Sequence, residues 1–462
     1  MATHHVIIGG GPAATNALET IRDFDDGASR ITLLCDEPAH SRMALPYWLA
    51  GNVPREQVMT GDAGYFKRLK VEARLNVRAK SIDPKAKQVS LVDGSSVDFD
   101  NLLIATGSSP VVPPIDGADL PGVHTLWTLA DTESVLKAAD GISRPRVVMI
   151  GAGFIGFIVL NAMFKRRWDL TVVEREPHVL PRMLDSQAAA HVESWLASRN
   201  VAVHTAATVS SIRESGGAKV VELSGGKTIK ADVVIVATGI RPNLELVDGS
   251  GITTDAGILV NDRLQTNLPH VYAAGDVAQG PDLLGGEPAV HAIQPTAVDH
   301  GRVAGANMAG HEVHYPGSLL MNILDVCGLQ CASFGNWSDA SAEATTISHS
   351  AGPVYRRLLW TGDQITGAVF AGQANDLGML NDVGMVKGII QTRTALGAWK
   401  EYLNENPFDV RRPYIAAKVA EKLAHTTLLG RPARSRQFRF GGAEPGTKPT
   451  SVHKVFVGTK NY

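Results

Sequence analysis

Short apolar runs that end in glycines, each followed by a helix-like stretch, mark the first half of the chain. His5–Gly9 is such a run; residues 13–22 then have helical character, and the β-branched run Arg30–Cys35 follows. A strand, a helix and a second strand in this order predict parallel strands joined by a right-handed crossover. The same pattern returns at residues 146–173, roughly 140 residues further on. The sequence therefore predicts two copies of one architecture and not a short repeat.

Further apolar strands complete the two units and lead to a region with a different pattern. Asn101–Gly107 and Asp232–Gly239 each end in a glycine turn, and His270–Asp276 ends in Gly-Asp. From Tyr315 onwards the chain changes to alternating strand-like segments such as Val354–Trp360. We therefore predict an α/β fold with two Rossmann-like dinucleotide-binding domains and a C-terminal α+β interface domain.

Composition and charge narrow the class of protein. The 462 residues suit about three domains of roughly 150 residues each. A formal charge of −2 gives no general attraction to nucleic acid or to an anionic membrane. Three cysteines are too few for a disulfide scaffold or a four-cysteine iron–sulfur site, and we expect no metal centre. Cys327 and Cys331 fit buried free thiols better than a zinc site.

No segment predicts export or insertion into a membrane. The N-terminus has no basic stretch before its apolar run, as a secretory signal would have. The longest apolar run, Val147–Leu160, contains three glycines and fits a buried strand that turns into a helix. We expect a cytoplasmic protein without a membrane span.

Both units carry a glycine pattern at the turn from the first strand into the helix. Residues 9–14 fit G-x-G-x-x-A, and residues 151–156 fit G-x-G-x-x-G. Glycine lets the backbone turn sharply and approach a pyrophosphate, while the helix N-terminus supplies free N–H groups and a positive dipole end. The candidate binding residues are Gly9, Gly11, Pro12, Ala13 and Ala14 in the first unit, and Gly151, Gly153, Phe154, Ile155 and Gly156 in the second.

An acidic residue at the end of the next strand completes such a site, because it accepts hydrogen bonds from the ribose hydroxyls. The second unit offers Glu174, which favours NADH since a carboxylate repels the 2′-phosphate of NADP. Arg175 beside it could accommodate that phosphate, so NADPH stays open. In the first unit Cys35 occupies the corresponding place, and we choose Asp36, then Glu37, for the ribose contact.

Two dinucleotide units, two Ala-Thr-Gly strands and one Ala-Gly-Asp strand resemble, in this order, the FAD-dependent pyridine nucleotide–disulfide oxidoreductase superfamily over residues 4–310. The resemblance implies that the first unit binds FAD and the middle unit binds NAD(H). It implies that Asp276 contacts the ribityl chain of FAD and that the helix opening at Gln294 points its N-terminus at the flavin. A helix dipole there would stabilise negative charge on a reduced flavin. The other cofactor-binding candidates that it implies are Ala105, Thr106, Gly107, Thr238, Gly239, Gly275, Thr296 and Ala297.

The same resemblance divides the chain into domains. An FAD-binding domain would comprise residues 1–114 and 243–315, and an NAD(H)-binding domain residues 115–242. Residues 316–425 would form the interface domain, which in this superfamily usually makes dimers, and residues 426–462 would form a basic tail. We expect a homodimer or a hetero-oligomer formed through that domain and the tail.

The chain departs from the superfamily where the reactive thiols usually lie. It lacks the Cys-x4-Cys pair, and in residues 41–47 Met43 stands where single-cysteine relatives have their reactive Cys. A thioether cannot form a thiolate, a sulfenic acid or a mixed disulfide. The stretch is also similar to Arg-x-x-Leu-Ser-Lys in flavin modules of ferredoxin, rubredoxin and nitrite reductases, with Arg42 in place and Tyr47 instead of Lys. Arg42 is therefore a cofactor-binding candidate, and Met43 and Tyr47 are flavin-proximal candidates.

These observations predict an enzyme that transfers hydride between NAD(H) and FAD. Loss of the cysteine favours a one-electron acceptor, so we expect a protein redox partner of the iron–sulfur or rubredoxin-like kind, with this chain as a subunit of a larger complex. A stand-alone NADH oxidase, or a reductase of quinones or nitro compounds, is the alternative. A flavin-binding protein without enzyme activity is a further alternative.

Overall fold

The computed structural model describes residues 2–349 and 352–424, and strands alternate with helices in its first part. The strands of this part are β1 (His4–Ile8), β2 (Arg30–Cys35), β3 (Val71–Leu75), β4 (Ala79–Asp83), β5 (Gln88–Leu91), β6 (Ser96–Asp98), β7 (Asn101–Ile104) and β8 (Ser108–Pro110). Its helices are α1 (Pro12–Asp25), α2 (Leu45–Leu49) and α3 (Ala63–Arg68).

The middle part repeats this alternation. It lies between the two connections, or crossings, near β8 and β17 (Ile240–Pro242), by which the chain passes from the first part to the middle part and back. Its strands are β9 (Val123–His124), β10 (Arg146–Ile150), β11 (Asp169–Val173), β12 (Ala202–His204), β13 (Val209–Ser215), β14 (Ala218–Leu223), β15 (Thr228–Ala231), β16 (Val233–Val236) and β17 (Ile240–Pro242). Its helices are α4 (Leu129–Ala138), α5 (Phe154–Lys165) and α6 (Ser186–Ser198).

After the second crossing the chain returns to the first part and then builds the C-terminal region. The returning elements are β18 (Ile258–Leu259), β19 (Val271–Ala273), β20 (Ala278–Gln279) and α7 (Gln294–Met308). The C-terminal elements are β21 (Met321–Val326), β22 (Leu329–Gly335), β23 (Glu343–His349), β24 (Val354–Thr361), β25 (Gln364–Gln373), α8 (Leu377–Gln391), α9 (Trp399–Glu405), α10 (Arg411–Ala416) and α11 (Val419–Ala424).

Each dinucleotide unit is built on a five-stranded parallel sheet. The first sheet has the order β19-β7-β1-β2-β3, and the second has the order β12-β11-β10-β16-β9. The register is equivalent, since His4 pairs with Arg30 in the first sheet and Arg146 pairs with Asp169 in the second. The first strand of each unit, β1 or β10, lies in the middle of its sheet. The predicted α/β fold is thereby confirmed, and each glycine turn lies at a switch point in strand order, where such folds bind ligands.

The C-terminal region has a different architecture. Its five strands form an antiparallel sheet of order β21-β22-β25-β24-β23, and α8 packs on β25 and β22. Two smaller antiparallel sheets, β4-β5-β6 and β13-β14-β15, extend from the dinucleotide units. At the crossings β8 pairs with β17, so the two connections between the units form one short ribbon.

The α1 and α7 helices approach each other closely because small residues face one another. A Cβ atom added at Gly301 would lie 2.2 Å from the carbonyl oxygen of Ala13. One added at Gly305 would lie 2.8 Å from the carbonyl oxygen of Ala17. Any larger residue at these two positions would push the helices apart, so the glycines fix where the N-terminus of α7 lies.

One hydrophobic core is shared by three parts of the chain. Leu45 and Leu49 of α2 are buried in it together with Phe157 of α5 and Leu324 of β21. The Arg166 side chain, just after α5, also donates a hydrogen bond to the carbonyl of Leu49. This packing holds the stretch before α2 over the gap between the two parallel sheets.

None of the described helices is long and apolar enough to cross a membrane. Within residues 2–349 and 352–424, no group of three or more His, Cys, Asp or Glu side chains is arranged to hold a metal ion. The predicted basic tail, residues 426–462, lies outside the described residues.

Candidate functional site

One continuous cleft of about 2440 Å³ runs between the two parallel sheets. The carboxyl ends of β1, β7, β10 and β16 line it, and so do the N-termini of α1, α5 and α7. Residues 320–323, at the start of β21, form a further part of its wall. Both dinucleotide units and the C-terminal sheet thus face the same space.

The first glycine turn brings the backbone to the floor of this cleft. Gly9 has φ of +116°, and a Cβ added there would lie 2.1 Å from the carbonyl oxygen of Ala105. Gly11 is the N-cap of α1, has no side-chain cap, and has open space where a Cβ would lie. The free N–H groups at the start of α1 are therefore available to an anion in the cleft.

The second glycine turn repeats this geometry. Gly151 has φ of +102°, and a Cβ added there would lie 2.4 Å from the carbonyl oxygen of Ala237. Gly153 is the uncapped N-cap of α5 with open space around it, and a Cβ at Gly156 would lie 2.8 Å from the carbonyl oxygen of Gly151. Two uncapped helix N-termini on one cleft fit two ligands that each carry a pyrophosphate, as FAD and NAD(H) do.

Glu174 is buried at the end of β11, and its carboxylate is fixed by the backbone. Its Oε2 accepts a hydrogen bond from the N–H of Ala152 at 2.6 Å, and its Oε1 accepts one from the N–H of Glu176 at 2.9 Å. The exposed Arg175 side chain is paired with the Glu176 carboxylate at 3.1 Å. The wall of the second unit therefore presents a rigid acid, while the neighbouring cation is already paired.

The corresponding place in the first unit is apolar. Cys35 is buried, and a Cβ added at Gly10 would lie 2.6 Å from its Sγ. Asp36 is exposed and lines the cleft, as does Glu37, whose Oε1 accepts from Nη2 of Arg42 at 2.9 Å. Both candidates for the ribose contact therefore lie at the cleft. Glu37 is already paired with Arg42, whereas Asp36 is exposed, and Asp36 stays the predicted choice.

Arg42 connects the two units. Besides its bond to Glu37, it donates from Nη1 to the carbonyl oxygen of Trp127 at 2.6 Å, and its guanidinium lies 5.6 Å from the centre of the Trp127 ring. The Trp127 indole N–H in turn donates to the carbonyl oxygen of Ser108 at 2.6 Å. The stretch beside Met43 is therefore held to both walls of the cleft.

Asp276 is a half-buried acid of the first unit. Its Oδ2 accepts a hydrogen bond from the Ser108 hydroxyl at 2.8 Å. Burial raises the pKa of this carboxyl, against the opposing effects of the Ser108 bond and the charge of Arg42. Its Oδ1 makes no hydrogen bond within residues 2–349 and 352–424, and the residue lines the cleft. The geometry leaves this oxygen free to accept from a hydroxyl of a ligand.

The crossings between the units are tied together by one amide side chain. Asn243 donates from Nδ2 to the carbonyl oxygen of Thr106 at 2.8 Å and accepts from the Ser109 hydroxyl at 2.7 Å. The Thr238 hydroxyl donates across the ribbon to the carbonyl oxygen of Val111 at 2.6 Å. The two Ala-Thr-Gly strand ends are thereby held side by side where the chain crosses between the units.

The cleft gathers all but four of the residues that the sequence predicts for the site. Ala14, Gly156 and Thr296 are buried within the helices and do not line it. Tyr47 is 54% exposed and also lies outside the lining, whereas Met43 lines it and is 40% exposed. The structure therefore keeps Met43 as a flavin-proximal candidate and does not bring Tyr47 to the cleft.

Sequence reasoning missed part of the wall. Ser108 and Trp127 line the cleft, and so do residues 320–323 of the C-terminal region. Ser108 directly follows the Gly107 turn, which was the available signal for it. The other positions carry no local motif, because long-range packing brings them to the cleft.

The three cysteines are free and buried. Burial raises the pKa of the Cys35 thiol to about 11 and that of Cys327 to about 12. Burial also raises the pKa of Cys331. Thiols with such pKa values are poor nucleophiles at neutral pH. The prediction that Cys327 and Cys331 are buried free thiols is confirmed by their positions.

Comparison with known proteins agrees with this geometry. An NADH-dependent phenylglyoxylate dehydrogenase subunit epsilon from Aromatoleum evansii is 31% identical over 420 residues, which cover 89% of this chain and 96% of that protein. An NADH oxidase from Methanocaldococcus jannaschii is 32% identical over 318 residues, covering 67% of this chain and 71% of that one. A chain of the covalent putidaredoxin reductase–putidaredoxin complex shares the fold, with a TM-score of 0.80 and 24% identity over 90% of this chain and 100% of that chain.

The family described as pyridine nucleotide-disulphide oxidoreductase matches residues 3–296, which contain both glycine turns and the start of α7. Proteins of this family bind FAD and NAD(H), and the two uncapped helix N-termini on the cleft suit both. The reading as a binding protein without enzyme activity is thereby set aside. The chain belongs to the pyridine nucleotide-disulphide oxidoreductase family and is an FAD-dependent NAD(P)H oxidoreductase.

Proposed function

We propose that this chain is the NADH-oxidising flavin subunit of a larger complex and that it passes electrons to a protein redox partner of the iron–sulfur or rubredoxin-like kind. The relative from Aromatoleum evansii supports the role as a subunit, since it is itself named as one. The match extends over 420 residues, too many to be confined to the two dinucleotide units, so it includes part of the C-terminal region.

The observation that carries the proposal is the position of Met43 in the cleft wall. A cysteine thiolate at this place could attack a substrate disulfide, form a bond to one sulfur and displace the other as a thiolate, which a thioether cannot do. Bound FAD supplies two-electron exchange with NAD(H) and one-electron exchange with a protein carrier. The absence of a thiol at residue 43 therefore favours an acceptor that takes electrons directly from the flavin.

The contribution of the chain to hydride transfer is orientation, since the step depends on how two rings are placed. The backbone bonds of Glu174 fix an acceptor for the ribose of NADH. Arg42 holds the opposite wall through Glu37 and Trp127, and Asn243 fixes the connection between the units. Because these side chains are already fixed, little free energy is needed to order the walls of the cleft when the ligands bind.

The N-terminus of α7 supplies the electrostatic part of the proposal. It begins at Gln294 on the cleft wall, and its N-cap, Ile293, offers no side-chain hydrogen bond. Its free N–H groups and positive dipole end stabilise negative charge at that end of the cleft. This favours the reduced, anionic form of a bound flavin over the oxidised form.

The division into domains belongs to the proposal. We assign residues 1–114 and 243–315 to FAD, residues 115–242 to NAD(H) and residues 316–425 to contacts with another chain. The membership of the sheets supports the first two assignments, because β19 joins the first sheet and α7 packs on α1. The homodimer or hetero-oligomer is proposed through the third region.

Rapid mixing of the protein with NADH without oxygen tests the proposal. We expect the flavin absorbance to bleach within the turnover time, to recover slowly on mixing with O₂, and to recover fast with an iron–sulfur or rubredoxin-like protein that co-purifies. Fast stoichiometric recovery with O₂ alone contradicts a protein acceptor. NADPH in place of NADH serves as the control for nucleotide choice.

An NADH oxidase is the second candidate function, and the relative from Methanocaldococcus jannaschii favours it. That match covers 67% of this chain, a smaller share than the match to the dehydrogenase subunit. The same experiment separates the two functions, because an oxidase consumes O₂ at its full NADH-dependent rate without any added protein.

A further inference from the structure

A row of buried polar groups leads from the C-terminal region to the turn that carries Asp276. The hydroxyls of Tyr315 and Ser318 lie 2.9 Å apart, and Oγ of Ser318 lies 3.4 Å from Nε2 of His300. On the other side of the ring, the N–H of Gly275 donates to Nδ1 of His300 at 3.3 Å. Tyr315 and Ser318 are each 5% exposed, and His300 is 2% exposed.

The direction of these bonds fixes the state of the imidazole. A backbone N–H can only donate, so Nδ1 of His300 carries no proton. The proton is then on Nε2, which donates to the hydroxyl of Ser318. Burial lowers the pKa of His300 to about 3, in agreement with a neutral ring. A charged ring would place two donors, Nδ1–H and the N–H of Gly275, against each other.

Gly275 is a position where a small backbone movement matters. It has φ of +78° and directly precedes Asp276, whose Oδ2 is fixed by Ser108. The neighbour of His300 along α7 is Gly301, where the helix lies so close to the backbone of Ala13 that an added Cβ would clash with it. The imidazole is thus held between α7 and the turn, and its hydrogen bond to Gly275 fixes the start of that turn.

The other end of the row reaches the cleft wall. Ser318 lies two residues before the segment 320–323, which lines the cleft at the start of β21. Its hydrogen bond to His300 therefore ties that wall to the turn at Gly275.

We propose that His300 is a positioning residue for FAD: its neutral ring accepts the N–H of Gly275, sets Asp276 for a hydroxyl of FAD, and ties this turn through Ser318 to the cleft wall of the C-terminal region. The proposal rests on the assignment of Asp276 to FAD. His300 itself is buried beneath the turn and does not line the cleft.

Two substitutions separate this role from simple packing. His300→Gln retains a carbonyl oxygen for Gly275 and an amide donor for Ser318, whereas His300→Leu fills space and offers neither. The measurement is the rate at which FAD leaves the diluted holoprotein. The recovery of flavin fluorescence reports this release. We expect His300→Leu to raise this rate about 10- to 100-fold, as an unsatisfied buried N–H would. We expect His300→Gln to stay within about threefold of the unmodified protein, since both of its bonds are retained.

Equal rates for the Leu and Gln variants overturn the proposal, whether both rates are raised or both are unchanged. The visible absorption spectrum of the bound flavin is the second readout, and we expect a shift in the Leu variant that Gln reverses. Asp276→Ala distinguishes the underlying assignment. If this variant retains FAD as well as the unmodified protein does, the assignment of Asp276 has failed, and the two His300 variants still report on the turn itself.

Discussion

The hydroxyl of Tyr355 donates a hydrogen bond to Oδ2 of Asp185 at 2.7 Å, while Oδ1 of the same carboxylate caps α6 by accepting from the N–H groups of Gln187 and Ala188. Arg357 reaches Oδ2 as well, at 3.1 Å. Burial, reinforced by the bond to Asp185, raises the pKa of Tyr355, so its hydroxyl stays protonated. One carboxylate therefore both starts a helix of the middle unit and fastens that unit to β24.

Substitution of Tyr355 and substitution of Asp185 should lower the free energy of unfolding by different amounts. Tyr355→Phe removes one hydrogen bond and should lower the free energy of unfolding by about 1 kcal/mol. Asp185→Ala also removes the helix cap, worth about 1 kcal/mol more, and leaves Arg357 without its partner. Denaturant unfolding of the holoprotein measures both. Arg144→Ala is the control, because its pair with Asp169 is 3.8 Å apart and exposed. Equal losses in the two test variants would show that the cap contributes nothing.

Replacement of glycine by alanine should have a different outcome at each of three positions in the two glycine turns. Gly9→Ala should prevent stable folding, since its Cβ would lie 2.1 Å from a backbone oxygen. Gly11→Ala has open space and should fold, but its methyl group occupies the place of a pyrophosphate, so FAD is lost at least tenfold more readily. Gly153→Ala should keep FAD and weaken NADH binding by a similar factor of about ten.

Flavin absorbance after gel filtration measures retained FAD, and the NADH dependence of flavin reduction measures the second site. The assignment of the two units would be reversed if Gly153→Ala lost FAD and Gly11→Ala kept it. Normal FAD and NADH binding in both variants would remove the glycine turns from the site.

Glu174 should decide the preference for NADH over NADPH. Glu174→Gln removes the negative charge and one acceptor, so the ratio of kcat/KM for NADH to that for NADPH should fall about 10- to 100-fold. A ratio is chosen because a general defect in the cleft cancels from it. Arg175→Ala is the matched control and should lower activity with NADPH alone. An unchanged ratio in the Glu174 variant would assign the ribose to another residue.

The cysteines predict a steep dependence of thiol modification on pH. With a pKa of about 11, the Cys35 thiol is ionised to about one part in 1000 at pH 8, and the fraction rises tenfold per pH unit until about pH 11. Native protein at pH 8 should therefore resist iodoacetamide and keep its reduction by NADH. Mass spectrometry of the intact chain measures the label. Denatured protein, whose thiols return to a pKa of about 8.5, should take up label at all three cysteines. Rapid labelling of the native protein with loss of flavin reduction would reveal a working thiol.

Elements that depend on local chemistry could be predicted from the sequence. Strand β2 spans Arg30–Cys35 as its apolar pattern predicts, and α5 begins at Phe154 directly after its glycine turn. In both places the strand, the turn and the helix are set by residues next to one another. The place of each glycine turn, between a strand and a helix, follows from the same patterns.

Features that depend on distant packing could not be predicted. Leu45 and Leu49, four residues apart, are both buried toward α5, and this turns the intervening Tyr47 outward. Nothing in the stretch itself shows which face of this short helix is buried. The approach of Arg42 to Trp127, 85 residues away, depends in the same way on contacts between parts of the chain that are far apart.

The return of the chain to its first sheet has a consequence for biosynthesis. The middle unit is contiguous and has all its strands once residue 242 has left the ribosome, whereas the first unit lacks its edge strand until residue 273 and the partner of α1 until residue 308. Domains fold as units during translation. The nascent polypeptide can thus complete the sheet of its middle unit before that of its first unit.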